Sequence, residues 1–342
     1  YTDAKHFGEI VWARYASNSL PGHEFYNNES EKSDFNSFLK VTYDIIPGLN
    51  VYADFQVRNI NYTADGLDRE WTDGDRIIDI DKAYTFLNPK GGLMYQIDDA
   101  MSVYTSYALA HREPNRSDFL DAPGNIEPKP EQLQNLEIGY KANFDQTAVE
   151  IVGYNMQYYN QLVMTGKLND VGTPIRKNVG ESYRRGIEII ASHKPLSFLE
   201  AGASVTLSTN KTSYKEFLSG DSTFVDHKDM TLSYSPSVIG SAQVIFTPFE
   251  NLQAGFYLKH VGSQYVDNTE SEELQLPAYT LLDFKMNYSI AWNKAGIIDL
   301  FFNVYNLTDE QYSSYGAVHW TGSLGYFPQA GINYLCGASL KF

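Results

Sequence analysis

The feature that most constrains this chain is alternation. From 51 to 58, Val51, Ala53, Phe55 and Val57 fall on one face and Tyr52, Asp54, Gln56 and Arg58 on the other. From 135 to 144, Leu136, Ile138, Tyr140, Ala142 and Phe144 oppose Asn135, Glu137, Gly139, Lys141 and Asn143. Residues 199–208 repeat the pattern, and so do residues 330–342, where Leu335 is the one apolar residue on the polar face. Successive side chains of a strand point to opposite faces, so each segment is a strand with one apolar and one polar face. The pattern predicts fourteen strands, near 7–15, 35–46, 49–62, 84–97, 101–110, 133–144, 147–161, 178–193, 199–212, 237–247, 251–264, 278–292, 297–305 and 330–342. Many run to ten residues or more, whereas strands of water-soluble domains average about five or six. A strand crossing a bilayer takes about nine to eleven.

The connections alternate in length. Short ones fall at Pro47-Gly48, Asp98-Asp99, Asp145-Gln146, Pro195-Leu196, Pro248-Phe249-Glu250 and Asn293-Lys294. Long ones fall near 16–34, 63–83, 111–132, 162–177, 213–236, 265–277 and 306–329. In an up-and-down sheet, alternate connections lie at the same end, so every long loop shares one end and every tight turn the other. That asymmetry is the pattern of an outer-membrane barrel, with short periplasmic turns and long external loops. A soluble sandwich or barrel with the apolar face inward shows the same alternation. Strand length, loop asymmetry and polar faces rich in Gly, Ser, Asn, Lys and Glu favour the membrane reading.

Composition removes other classes. A net charge of -16 has the wrong sign for a nucleic-acid binder held by phosphate contacts. One cysteine cannot make a disulfide within the chain. The acidity concentrates in the long connections, with Asp65, Asp68, Asp73, Asp75, Asp79 and Asp81 in one of them. A mean hydropathy of -0.36 is compatible with a membrane barrel, because every second strand residue faces a wet lumen.

Four segments resemble the TonB-dependent outer-membrane receptors. Tyr104-Thr105-Ser106-Tyr107-Ala108-Leu109-Ala110-His111-Arg112-Glu113-Pro114-Asn115 is similar to the family's strand ending in an Arg-x-Pro-Asn box. Glu127-Pro128-Lys129-Pro130-Glu131, followed by Asn135-Leu136-Glu137-Ile138-Gly139-Tyr140-Lys141, resembles its Lys-Pro-Glu segment and the strand that follows. Asn178-Val179-Gly180 with Arg185-Gly186-Ile187-Glu188 resembles a third. Val304-Tyr305-Asn306-Leu307-Thr308-Asp309-Glu310-Gln311-Tyr312, before a strand closing on Phe342, resembles the last. These residues are expected to fold the barrel rather than bind substrate. Gly139 and Gly186 would allow close approaches on the lumenal face.

The resemblance implies an all-β, antiparallel up-and-down transmembrane barrel of 22 strands with a plug domain in its lumen. Residues 1–342 would then be the C-terminal portion of that barrel, about fourteen strands without the plug. It further implies active uptake of a scarce, large ligand across the bacterial outer membrane, an iron chelate (siderophore) by default, with cobalamin or oligosaccharide as rivals. The partners implied are the TonB energy-transducing complex acting through the plug, the barrel-assembly machinery reading Phe342, lipopolysaccharide and a surface lipoprotein. A passive porin and a soluble β binding module are the alternatives from other classes.

Catalytic chemistry is not expected: the chain has no Gly-x-x-x-x-Gly-Lys loop, no His-Glu-x-x-His and no Cys-x-x-Cys. Candidates for ligand contact are His111, Arg112, Arg116, Tyr265, His319 and Trp320. The arginines suit an anionic ligand, with pairing to Asp118, Asp121 or lipopolysaccharide phosphate as the alternative. The aromatics suit stacking on a bulky ligand. Asp73, Asp75, Asp79 and Asp81 are calcium candidates because hard cations take several carboxylate oxygens, although their spacing is not that of an EF-hand. A solvated acidic loop is the plainer reading of the same residues.

Overall fold

A computed structural model describes all residues except 13–20, 71–73, 123–125, 170–171, 218–223, 293–295 and 320. The first strands are β1 (Thr2–Glu9), β2 (Glu24–Ile46), β3 (Leu49–Glu70), β4 (Gly74–Gln96) and β5 (Met101–Arg112). A one-turn helix, α1 (Arg116–Leu120), follows. Next come β6 (Glu131–Phe144), β7 (Thr147–Tyr159), β8 (Leu162–Leu168), β9 (Pro174–Asn178), β10 (Glu181–Leu196), β11 (Leu199–Phe217) and β12 (Phe224–Thr231). The chain continues through β13 (Val238–Phe249), β14 (Leu252–Val261), β15 (Gln264–Tyr265), β16 (Gln275–Leu276), β17 (Tyr279–Ala291) and β18 (Ile297–Tyr305). It ends with β19 (Ser313–Val318), β20 (Leu324–Pro328) and β21 (Asn333–Lys341).

Fourteen of these form one continuous wall in the order β1-β2-β3-β4-β5-β6-β7-β10-β11-β13-β14-β17-β18-β21, with β12 added to β11. Consecutive wall strands pair antiparallel. The fourteen predicted strands and the fourteen wall strands correspond one to one. β1 and β21 stand at the two ends of the sheet. The tight turns explain themselves. Gly48 takes φ +84°, open to glycine without a Cβ penalty. Asp98 Oδ1 accepts from the amides of Ala100 and Met101, both at 2.8 Å, and so holds the next turn by its side chain.

The register settles which way the apolar face points. Leu39 lies opposite Phe55, and Phe55 opposite Pro89; Ile138 lies opposite Gly153, and Gly153 opposite Ile187. These apolar residues are exposed: Leu39 by 65%, Phe55 by 62%, Ile138 by 61%. A band of this extent is not tolerated in water, where apolar patches larger than a few hundred Å² mark contact surfaces. The opposite face carries Lys40, Asp54 and Lys90 in one cross-strand row and Asn36 and Arg58 in another. The buried cores are small and lie beyond the band, at the long-loop end. One is Ala64, Ile78 and Ile80 under Phe119 and Leu120; another is Val163, Val179 and Leu232. The wall is therefore apolar outside and polar inside.

Glycines on the polar face sit beneath aromatic rings of the neighbouring strand. Tyr52 is directly opposite Gly92, Tyr104 opposite Gly139, Tyr154 opposite Gly186 and Phe301 opposite Gly337. A Cβ on Gly139 would come 2.2 Å from Tyr104 Cε1, and one on Gly186 would come 2.6 Å from the Tyr154 hydroxyl. Each aromatic covers backbone that the glycine leaves bare. Gly139→Val should therefore destabilise the wall by about 1–3 kcal/mol, the range for overpacking. Gly153→Val should be neutral, since the nearest atom to a Cβ there is a carbonyl 4.0 Å away. The temperature at which the folded band is lost from unboiled gels measures both.

Several expectations change. The connection expected at 63–83 is mostly strand: β3 runs to Glu70 and β4 resumes at Gly74. β2 likewise begins at Glu24, inside the loop expected at 16–34. Beyond the bilayer both faces of a hairpin meet water, so the alternation disappears while the backbone ladder continues. The first strand is Thr2–Glu9 rather than 7–15, because its place is fixed by its pairing with β2, Thr2 opposite Lys32. The turns expected at Pro195-Leu196 and Pro248-Phe249-Glu250 fall one or two residues later, and Asn293-Lys294 lies outside the described residues.

Candidate functional site

The tight turns leave one end of the wall bare, and the long-loop end is elaborately built. Its first part follows β5. Asn115 caps α1: its Oδ1 accepts from the Asp118 amide at 3.0 Å, and Asp118 Oδ2 accepts from the Asn115 amide at 2.8 Å. This is the reciprocal arrangement that satisfies two helix-start donors at once. Asp118, with 3% of its side chain exposed, also accepts two bonds from Arg176 of β9, at 2.8 and 3.0 Å. On the other side of α1, Phe119 and Leu120 cover Ile78 and Ile80 of β4.

The sequence motifs interlock here. Glu131 Oε2 meets Arg112 Nε at 2.6 Å, and its Oε1 accepts from the Leu162 amide at 2.5 Å. Asn178 accepts from the Lys129 amide at 2.8 Å and returns a bond to the Lys129 carbonyl at 3.0 Å. The Arg-x-Pro-Asn box, the Lys-Pro-Glu segment and the Asn-x-Gly segment thus form one joint. Asn306 does the same for the last motif. Its Oδ1 accepts from the Glu310 amide at 2.9 Å, and its Nδ2 donates to the carbonyls of Glu310 at 2.9 Å and Ala330 at 3.3 Å.

A second part brings four excursions together. β8–β9 lies between wall strands β7 and β10, and β19–β20 between β18 and β21. They join in a four-stranded sheet through a parallel contact of Val318 with Lys167. Segments before β13 and after β14 tie in. Asn268 Nδ2 donates to the Met164 carbonyl at 2.8 Å, and Asn268 Oδ1 accepts from the Ser233 amide at 2.9 Å. The Tyr234 amide donates to the Tyr265 carbonyl at 2.8 Å, and its hydroxyl donates to the Gly316 carbonyl. Burial pushes the Tyr234 hydroxyl well above the usual tyrosine value, so it stays a donor. Tyr234, Tyr315 and Phe327 form an aromatic run, with ring centres 5.3 and 5.2 Å apart.

On the polar face of β2 and β3, Glu113 gathers two cations. Lys32 Nζ lies 2.7 Å and Arg58 Nη1 3.0 Å from its carboxylate, and Arg58 also holds Asp34. Burial works against the charge of Glu113, but Lys32 and Arg58 outweigh it and hold the carboxyl below its usual range. Glu270 is shifted the same way: burial opposes its charge, and Lys211 and Thr231 prevail. A carboxyl whose pKa is lowered on folding contributes stability above its unfolded value, and that contribution is lost as pH falls through the folded value. Loop protection against protease should thus be unchanged from neutrality to about pH 5 and should fall below about pH 4. Glu113→Gln should abolish part of that pH dependence.

The expected ligand contacts fall as follows. His111 stacks on Phe86 with centroids 5.2 Å apart, and its Nδ1 lies 3.0 Å from Asn88 Oδ1. Arg112 is held by Glu131. Arg116 Nη2 donates to Asn28 Oδ1 at 2.8 Å, and Nη1 lies 3.1 Å from His6 Nδ1. Neither arginine takes Asp118, which pairs with Arg176 instead. Tyr265 is half-buried in the loop joint, and His319 is exposed at the β19–β20 turn, 2.9 Å from Thr321 Oγ1. Trp320 lies outside the described residues.

Asp75, Asp79 and Asp81 belong to β4 rather than to a loop, and Asp73 lies outside the described residues. Asp79 stands opposite Asp65 and Asp81 opposite Thr63. Among the described residues no three His, Cys, Asp or Glu side chains gather as a metal group. Sequence reasoning missed Arg176, Asn268 and Tyr234, whose roles depend on loops far apart in the chain.

Known proteins share this architecture. The ferrioxamine B receptor of Salmonella typhimurium is 26% identical over 244 residues, 68% of this chain and 31% of that receptor. The ferric-catecholate import receptor Fiu of E. coli K12 superposes with a TM-score of 0.72 at 18% identity, over 99% of this chain and 50% of Fiu. The ferric citrate transporter FecA superposes with a TM-score of 0.70 at 19% identity, over 95% of this chain and 48% of FecA. The chain thus spans a third to a half of the length of these relatives. The family model described as "TonB dependent receptor-like, beta-barrel" matches residues 11–307, and the chain belongs to that family of outer-membrane barrels.

Proposed function

We propose that this chain is the C-terminal part of a receptor that takes up an iron chelate across the bacterial outer membrane. The observation that carries the reading is the joined long-loop end, where four excursions meet over one mouth of a polar-lined wall. Relatives named for ferrioxamine B, ferric catecholate and ferric citrate share the fold and support it. The Tyr234–Tyr315–Phe327 run would stack on a bulky chelate, and Arg116, whose contacts are to Asn28 and His6 rather than to a carboxylate, would meet its negative charge. Release inward would draw on the TonB complex acting on a plug domain. Phe342, fully exposed at the end of β21, would be read by the barrel-assembly machinery.

The test is a binding titration of the receptor with ferrioxamine B, a ferric catecholate and ferric citrate, read by quenching of intrinsic fluorescence. At least one should bind at micromolar concentration or tighter. Failure of all three, with cobalamin or an oligosaccharide binding instead, overturns the iron reading.

A further inference from the structure

β4 has a neighbour on both sides only near its tight turn. β5 joins it from Lys90 to Gln96, whereas β3 accompanies it from Tyr95 to Gly74. Pro89, next above Lys90, has no amide to give to a ladder. β5 itself runs on to Arg112 but pairs there with β6. Among the described residues, no backbone hydrogen bond joins residues 74–89 to any strand but β3. β4 meets its tight turn at Gln96, and a strand crosses the bilayer in about nine to eleven residues. The one-sided stretch above Thr85 therefore stands in water, beyond the membrane.

A long, straight, unpaired edge is a template for another strand, and folded proteins blunt such edges by short length, bulges or charge. β12, which pairs only with β11, is blunted: it spans Phe224–Thr231, and its register shifts between Thr212 and Tyr214. β4 is not, for its register with β3 is regular along its whole length. Its inward lysine, Lys82, is neutralised by Glu127 at 2.7 Å.

The two faces beside this edge differ. On the outer face Asp79 and Asp81 are exposed, and among the described residues no ion pair holds either. Asp79 lies directly opposite Asp65, and Asp65 opposite Glu29, an arrangement in which like charges repel. Lys5 reaches only Glu29. On the other side, a groove of about 230 Å³ separates Ile77 and Ile80 from Leu120 and Ile126. Ile126 is 74% exposed. A strand laid here would thus have carboxylates along one face and apolar side chains along the other, and side chains alternate between faces at every residue.

We propose that the free edge of β4 takes up an extended segment of another protein as an added strand. That segment carries Lys or Arg at alternate positions, beside Asp79 and Asp81, with apolar residues between them facing the groove. A second copy of this chain is disfavoured as the occupant by its own net charge of -16. The proposal does not depend on the identity of the transported ligand.

The probe is a labelled synthetic peptide of about ten residues, alternating Lys and Val and capped at both ends, titrated into the full receptor in detergent at physiological salt. It should bind at micromolar concentration and slow amide hydrogen exchange within residues 77–88. The same peptide with every backbone amide N-methylated keeps its charge but cannot donate to a ladder, and should bind at least about tenfold more weakly. The double variant Asp79→Asn, Asp81→Asn should weaken the unmethylated peptide roughly three- to tenfold, the effect of two exposed ion pairs. Heat-modifiable mobility confirms that this variant has folded. No binding by the parent peptide at about 100 μM, equal binding of the methylated peptide, or protection confined to other strands overturns the proposal. So does sedimentation showing a receptor dimer that the peptide dissociates, because the edge would then belong to a second copy. Iron-chelate titration of the same samples separates this surface from the uptake reading: the chelate should bind equally well with the peptide present.

Discussion

Asp118→Ala should release the β8–β9 excursion from the end of the wall. Asp118 is almost fully buried, accepts both bonds of Arg176 and closes the cap of α1. Removing it strands a guanidinium that is itself only 22% exposed. Breaking a buried pair from one side costs about 3–5 kcal/mol, far more than an exposed pair contributes. Trypsin should then cut at Arg176 and Lys177 much faster than in the parent. Asp118→Asn, which keeps an acceptor for the Asn115 amide, should fall between the two. Replacing Asp118 by Leu and Arg176 by Met together should cost less than Asp118→Ala, because no charge is left buried. Equal cleavage rates in parent and Asp118→Ala would show that this joint does not hold the excursion in place.

Asn306→Ala is the second large effect. Asn306 is buried, with φ +52°, and its side chain stitches the start of the β18–β21 excursion to its end through Glu310 and Ala330. Alanine leaves three backbone partners unmet and places a Cβ in the left-handed region without the local bonding that asparagine supplies. The sum is about 3 kcal/mol or more. Asn306→Gly removes the same bonds but relaxes the backbone, so it should be milder by about 1 kcal/mol. Thermal loss of the folded gel band ranks the three proteins. If Asn306→Ala matches the parent, the stitch is dispensable.

Of these two residues, Asn306 belongs to a segment that the sequence marks, and Asp118 lies three residues past one, bonded to its last residue Asn115. Asn306 sits in a run resembling the family's last motif, and Asn115 in the Arg-x-Pro-Asn box, so each stands out in the amino-acid sequence alone. What each bonds to is not legible there. Asp118 precedes Arg176 by 58 residues, and Lys129 precedes Asn178 by 49. Pairings at such separations are made by where the wall strands deliver the loops. The same holds for His111 and Arg112, which look like free ligand contacts in sequence and are held by Phe86, Asn88 and Glu131 in the fold. Gly139 and Gly186 read correctly as close approaches, whereas the aromatic over each follows only from the strand register.

By itself the sequence determined the wall: fourteen strands, their alternating faces, tight turns at one end and long excursions at the other. It could do so because a strand between lipid and lumen must change environment at every residue, and that requirement is written locally. The tertiary structure decided three things that no local pattern carries. It placed the apolar residues on the exposed face, because closeness of neighbours and not composition separates inside from outside. It carried β2, β3 and β4 well past the bilayer, where water on both faces erases the alternation but not the backbone bonds. It also joined four distant excursions into one mouth, because buried polar side chains such as Asn268 and Tyr234 find their partners only in assembled space.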